Sequence, residues 1–263
     1  MNEQEGQGAS RERARSVVET ICREIEASRG TRIWDGFVNS LNLISQVVFT
    51  RSSGCVLELV QNAEDAGRAV ASPGEFAATI DPKRLKVTHN AQPFSETNVN
   101  AICDIRSSKK PELNTLGYLG IGFKSVFKVT DSPEIHSGSF HFKFDLQHWP
   151  NPTSTPWRIM PIWVDQPSEE VEPDKTTFIF PLRDGGIYRA VLDDLKQLGI
   201  EPFLFLHWLR KIVVIDEAGD QRWSVESGGE EHGVTKFLQN GHEHRFKIFR
   251  RTVQAPEWVR AID

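Results

Sequence analysis

Residues 56–66 read Val-Leu-Glu-Leu-Val-Gln-Asn-Ala-Glu-Asp-Ala. At about 100° per residue, a helix brings Glu58, Asn62 and Asp65 into one narrow stripe, because positions i, i+4 and i+7 share a face. Val56, Leu59, Ala63, Ala66 and Val70 form a second stripe, broad enough to bury against a sheet. A solvated helix face would by itself account for the polar stripe. Asn62 fits that account poorly, since it is a mediocre helix former where Lys, Gln or Glu would serve better. It asks for a partner elsewhere in the chain.

Residues 117–125, Gly-Tyr-Leu-Gly-Ile-Gly-Phe-Lys-Ser, supply one. They follow a polar, turn-rich stretch at 106–116. Closely spaced glycines let backbone N–H groups approach phosphate oxygens at the start of a helix, where the dipole also favours anions. A tight turn packed under a strand is the competing reading of Gly120 and Gly122 taken alone. The spacing Gly-x-x-Gly-x-Gly is not a dinucleotide fingerprint, and no Walker lysine motif occurs.

A chain of 263 residues with 38% hydrophobic content can bury one large domain, or one domain with an extension. The formal net charge of -5 disfavours a general polyanion-binding surface, so nucleic acid is not indicated as the main partner. Cys22, Cys55 and Cys103 are odd in number and widely separated, which suggests neither a disulfide framework nor a zinc site. No signal peptide opens the sequence, and no apolar run of about 20 residues is present to span a bilayer. The expectation is a soluble intracellular protein, cytoplasmic or nuclear.

In chain order, Ala14, Val17, Val18, Ile21 and Ile25 predict a first helix over 11–28, either a packing helix or an exchangeable dimer arm, with Gly30 as its stop. Ile33, Trp34, Phe37, Val38, Leu41 and Ile44 predict a second helix ahead of the central one. Strands are expected at 75–80 and 84–88, turned at Asp81-Pro82, then a helix at 95–103 with Glu96 in its first turn. Further strands are expected at 134–137, 139–144, 157–164 and 177–182. The remainder reads as an amphipathic helix at 187–198, a buried helix at 201–209, and antiparallel strands at 211–215, 222–225 and 245–249.

With the two motifs at 57–66 and 117–125, the chain resembles the GHKL ATPase superfamily of gyrase B subunits, ninety-kilodalton heat-shock chaperones, histidine kinases and MutL proteins. Gln-Asn-Ala-Glu-Asp-Ala at 61–66, His-Asn-x-x-Pro-Phe at 89–94 and Gly-Ile-Gly-Phe-Lys-Ser-Val-Phe at 120–127 are most similar to its sacsin and "no vein" branch. The likeness covers roughly residues 30–182. It implies an α/β fold of Bergerat type: a two-layer sandwich with helices on one face of a mixed, mainly antiparallel sheet. The domain division that follows is an N-terminal helix or arm at 1–30, an ATP-binding domain at 31–185, and a helix-and-strand extension at 186–263.

The resemblance also implies cofactors and roles. ATP would lie between the central helix and the glycine-rich lid, with Mg²⁺ held by Asn62, a neutral oxygen ligand in a shell completed by phosphates and water. Glu58 matches the residue that orients or deprotonates the attacking water, and Asp65 an acid of the same helix that ties lid or phosphate groups through water. Gly117, Gly120, Ile121, Gly122, Phe123, Lys124 and Ser125 match the phosphate-facing lid, Lys124 adding a charged donor. Thr176 matches a threonine near adenine. The family's Asp-x-Gly-x-Gly motif is replaced here by His89-Asn90-Ala91-Gln92-Pro93, so His89 or Asn90 would have to accept the adenine amino hydrogen bond. Lys175 stands where a glycine is usual.

The functional expectation is a Mg²⁺-dependent ATP-binding module with slow hydrolysis, closing its lid to rearrange against a protein partner, further domains of a longer chain, or a second copy in a nucleotide-dependent homodimer. The alternative is a degenerate ATPase-like scaffold that binds nucleotide weakly or not at all and serves as an interaction module. A histidine kinase is disfavoured, because no His-bearing dimerisation helix precedes the central helix.

Overall fold

The computed structural model describes residues 3–47, 54–104 and 122–249. Among these, five α-helices and ten strands alternate along the chain. Three helices come first: α1 (Glu3–Glu26), α2 (Arg32–Val47) and α3 (Gly54–Gly67). Strands β1 (Gly74–Ile80) and β2 (Arg84–His89) lead to α4 (Glu96–Cys103). A 3-10 turn at Gly122–Lys128 precedes β3 (Glu134–Ser137), β4 (Phe140–Lys143), β5 (Ile162–Trp163) and β6 (Thr176–Pro181). Helix α5 (Gly185–Lys196) and strands β7 (Leu209–Asp216), β8 (Gln221–Glu231), β9 (Val234–Gln239) and β10 (His242–Phe246) complete it.

All ten strands share one open sheet in the order β10-β9-β8-β7-β1-β2-β6-β3-β4-β5. Every neighbouring pair is antiparallel except β1 and β7, which run parallel. The sheet is therefore mixed and mainly antiparallel, as expected. Because β7 pairs with β1, the strands after residue 186 continue the same sheet.

Strand alternation decides which side of the sheet is buried under helices. Phe76, Ala78 and Ile80 of β1, Leu85 and Val87 of β2, Phe178 and Phe180 of β6, and Ile212 and Val214 of β7 join one apolar cluster. Leu59, Val60 and Ala63 of α3, Ala14, Val18 and Ile21 of α1, Val99 of α4 and Val191 and Leu195 of α5 close over it. Helix α1 lies against β4, β5 and α4 of its own chain, with Arg15 bridging to Asp165 at 3.1 Å; it is a packing helix here.

Helix α4 begins where local chemistry dictates. Ser95 caps it, taking the Asn98 N–H, while Asn98 Oδ1 accepts the Ser95 N–H at 2.8 Å, a reciprocal capping box. Asp184 caps α5 by accepting from Gly186 and Ile187 at 2.7 and 2.9 Å.

Two expectations need correction. The strand expected at 157–164 is mostly a 3-10 turn at Trp157–Ile159, with only Ile162–Trp163 paired to the sheet. Pro156 and Pro161 bracket the stretch and have no N–H to give to a ladder. The buried helix expected at 201–209 is a short 3-10 turn at Glu201–Leu204. The amides of His207, Trp208 and Leu209 go to the Glu64 carboxylate instead of to helical carbonyls.

Candidate functional site

Helix α3 packs its apolar stripe into the core: Cys55, Val56, Leu59, Val60 and Ala63 are buried. The polar stripe stays accessible, with Asn62 exposed and Glu58 and Asp65 half-buried. Asp65 pairs with Arg68 of the next turn at 3.2 Å.

Glu58 meets the glycine-rich stretch directly. A Cβ on Gly122 would lie 2.0 Å from Glu58 Oε2, so the carboxylate occupies the space that a side chain at 122 would need. Gly122 opens the 3-10 turn, and its neighbours anchor that turn in the core. Phe123 packs its ring 6.1 Å from Phe178 and 6.4 Å from Phe127. Ser125 is buried, and its Oγ has no hydrogen-bond partner among the described residues. Desolvation raises the Glu58 pKa above the ordinary carboxylate value. The motifs at 57–66 and 117–125 thus come into contact at Glu58 and Gly122. Gly117, Gly120 and Ile121 lie outside the described residues.

Lys124 takes a different place from the phosphate-facing one expected of it. Its ammonium is buried, donating to the carbonyls of Ile102 and, at 2.9 Å, Arg158, and it lies 5.4 Å from the centroid of the Phe144 ring. Burial lowers its pKa to about 8. The lysine ties the turn to α4 and to the 157–159 turn.

The opposite end of the site is built on the ends of β2, β3 and β6. His89 stands opposite Thr176 on one side and Phe76 on the other. Its ring, 5.9 Å from that of Phe178, is buried, and desolvation lowers its pKa to about 4. Nδ1 accepts the Ala91 N–H at 3.2 Å, so the neutral ring carries its proton on Nε2 and offers a donor there. Thr176 Oγ1 and Ser137 Oγ share a hydrogen bond at 2.5 Å, and Ser137 Oγ also accepts the Phe94 N–H at 2.9 Å. The Asn90 amide is committed to the backbone: Oδ1 accepts the Glu75 N–H at 2.7 Å, and Nδ2 donates to Pro73 O at 3.0 Å. Asn90 Oδ1 and His89 Nδ1, the acceptors the resemblance calls on at this end, each already accept a backbone N–H.

Among the described residues, no group of three or more His, Cys, Asp or Glu is arranged to hold a metal ion. A cation at Asn62 would therefore take the rest of its shell from a ligand and water. No helix among the described residues is long and apolar enough to cross a membrane.

Two residues escaped the sequence reading. Ser137 links Thr176 to the chain at Phe94, and nothing in its local pattern marks it. Glu64 is fully buried on α3. Its signal was available: it stands four residues after Val60 and three before Gly67, on the buried side of the helix, where a lone carboxylate needs donors.

Residues 83–177 match the sequence model of the Sacsin domain, a span running from the start of β2 to Thr177 of β6. Over 108 residues, 41% of this chain, the sequence is 41% identical to Protein NO VEIN of Arabidopsis thaliana, of which it covers 4%. It is 26% identical to Sacsin of Homo sapiens over 209 residues, 60% of this chain and 4% of that protein. The chain thus spans a small part of the length of the relatives it matches. The matched span holds His89, Asn90, Gly122 and Thr176, and over it the chain is similar to the Sacsin domain.

Proposed function

We propose that this chain is a Mg²⁺-dependent ATP-binding module of GHKL type, with a Bergerat arrangement of helices over its mixed sheet and slow ATP hydrolysis. The observation that carries the reading is the contact of Glu58 with Gly122. A half-buried carboxylate of raised pKa lies against the glycine that opens a turn, on the accessible side of the helix that also presents Asn62. A partly desolvated carboxylate suits a general base.

The residues fit the phosphate end of such a ligand. Gly122 lets the Glu58 carboxylate come up against the start of the turn, Ser125 holds a buried hydroxyl without a partner among the described residues, and Asn62 offers one neutral oxygen to a cation. Mg²⁺-ATP, when bound, supplies the phosphoanhydride and the cation that neutralises it. Glu58 would orient a water and take its proton at the carboxylate, and Asn62 would fix the cation through its amide oxygen. The lid closure that the resemblance implies for the glycine-rich motif would exclude water and change the surface offered to a partner protein, to further domains of a longer chain or to a second copy.

The test is a pair of variants. Glu58→Ala is expected to keep ATP binding and lose about 100-fold or more in turnover; Asn62→Ala is expected to lose the Mg²⁺-dependent part of binding. Equal turnover in wild type and Glu58→Ala would remove the catalytic assignment.

The base end favours a second reading, a scaffold that binds nucleotide weakly or not at all. There the Asn90 amide and His89 Nδ1 are engaged by backbone groups, and His89 Nε2 carries a proton, whereas the amino group of adenine would need an acceptor. Absence of binding heat at millimolar ATP would select this reading.

A further inference from the structure

The geometry points to Glu64 as the residue that positions α3, fastening the helix of the candidate site to the start of β7 so that nucleotide occupancy and the order of residues 207–209 are linked. This rests on the nucleotide reading of Glu58 and Asn62.

Three successive amides converge on one carboxylate. Glu64 Oε1 accepts from the N–H groups of His207 at 2.7 Å and Trp208 at 2.9 Å; Oε2 accepts from Trp208 at 3.0 Å and Leu209 at 2.8 Å. Consecutive N–H groups aimed at one point make an anion-binding concavity. Here the anion is a side chain of the site helix, and the concavity is where the chain enters β7.

Trp208 extends the same junction. Its ring fills the space over two glycines: a Cβ on Gly67 would lie 1.9 Å from it, and one on Gly74 2.6 Å. Its indole N–H donates to Ser72 O at 3.0 Å, and its carbonyl accepts the Gly74 N–H at 3.1 Å. One residue at the entry to β7 thus touches the end of α3, the connection to β1 and the start of β1.

An apolar side chain at 64 would bury against the core equally well and tolerate sliding of the helix. A buried carboxylate does not, because its desolvation is offset only where all three amides are in place. Glu64 therefore fixes one position for α3 along β7, and with it Asn62 and Asp65, its near neighbours on the accessible side. A ligand that requires that position must, by reciprocity, favour the ordered junction.

Amide hydrogen exchange on the full chain, with and without Mg²⁺-ATP and with calorimetry in parallel, tests this. In wild type, ATP should slow exchange at Trp208 and Leu209 by about fivefold or more beyond any slowing in β9, the low end of ordinary coupling. In Glu64→Gln that extra slowing should vanish, and the Kd for Mg²⁺-ATP should rise by about fivefold or more. A merely structural Glu64 would leave exchange at 208 and 209 no more responsive to ATP than in β9. Binding heat without the extra slowing overturns the coupling and leaves the nucleotide reading standing; no binding heat overturns both. If Glu64→Gln does not fold, the wild-type comparison alone decides.

Discussion

Helix α3 carries two glutamates six residues apart whose surroundings could hardly differ more. Glu64 is fully buried and receives N–H groups from three consecutive residues. Glu58 is half-buried, and its carboxylate fills the space that a side chain at Gly122 would need. The satisfied carboxylate has no capacity left for a ligand, so its task is to hold the helix still. The other is desolvated enough to have a raised pKa yet remains accessible, which is what a proton acceptor at a reacting centre requires. Hydrogen-bond satisfaction, more than residue type, separates the anchored end of the helix from the end proposed to meet a ligand.

The anchored end should break hardest. Trp208→Ala removes the ring wedged over Gly67 and Gly74 and should cost about 3–5 kcal/mol, read as a lowered urea midpoint. Asn62→Ala, on the exposed side of the same helix, should change stability by less than about 0.5 kcal/mol. Similar losses from both would erase the distinction.

The end of β2 adds a pH dependence. His89 has its pKa lowered to about 4 by burial, against an ordinary value near 6.5, so the folded state resists protonation while the unfolded state accepts it. The stability contributed is full above pH ~6.5 and is lost as pH falls toward 4, amounting to about 3 kcal/mol for a shift of this size. Half-buried His141, also lowered to about 4, acts in the same direction. Denaturation midpoints between pH 7 and 4 check this, and His89→Gln should flatten the slope.

The working end should respond in activity with little change in stability. Gly122→Ala places a methyl where Glu58 Oε2 now lies; a flexible carboxylate can move aside at small cost. Turnover should fall about 100-fold through misplacement of the base, while the melting temperature hardly moves. The smallest effect concerns the base: with Asn90 committed and His89 offering a donor, ATP and GTP should bind within about tenfold of one another by calorimetry.

Much of the fold was legible because its signals are local. The apolar stripe of α3, the alternation in β1 and β2 and the cap at Ser95 depend on residues within a few positions of one another, and the structure follows them. The helix expected at 201–209 failed because its amides answer to Glu64, some 143 residues earlier in the chain. Strand β9 lacked strong alternation, yet it is bounded by His232-Gly233 and Asn240-Gly241, all four with positive φ, and Asn-Gly is a hairpin signal that could have been used. At the site, the 57–66 and 117–125 motifs were paired through the resemblance as two walls of one pocket, and the contact of Glu58 with Gly122 was not foreseen. The roles given to Lys124 and Asn90 did not foresee their partners, Ile102, Arg158, Pro73 and Glu75, because those contacts exist only once the sheet has assembled.

The most direct measurement is a calorimetric titration of the wild-type chain with ATP, once with Mg²⁺ and once with the metal chelated. Saturable binding that weakens when Mg²⁺ is removed, and that Asn62→Ala makes indifferent to Mg²⁺, is the predicted result. No binding heat up to millimolar ATP in the presence of Mg²⁺ would contradict it.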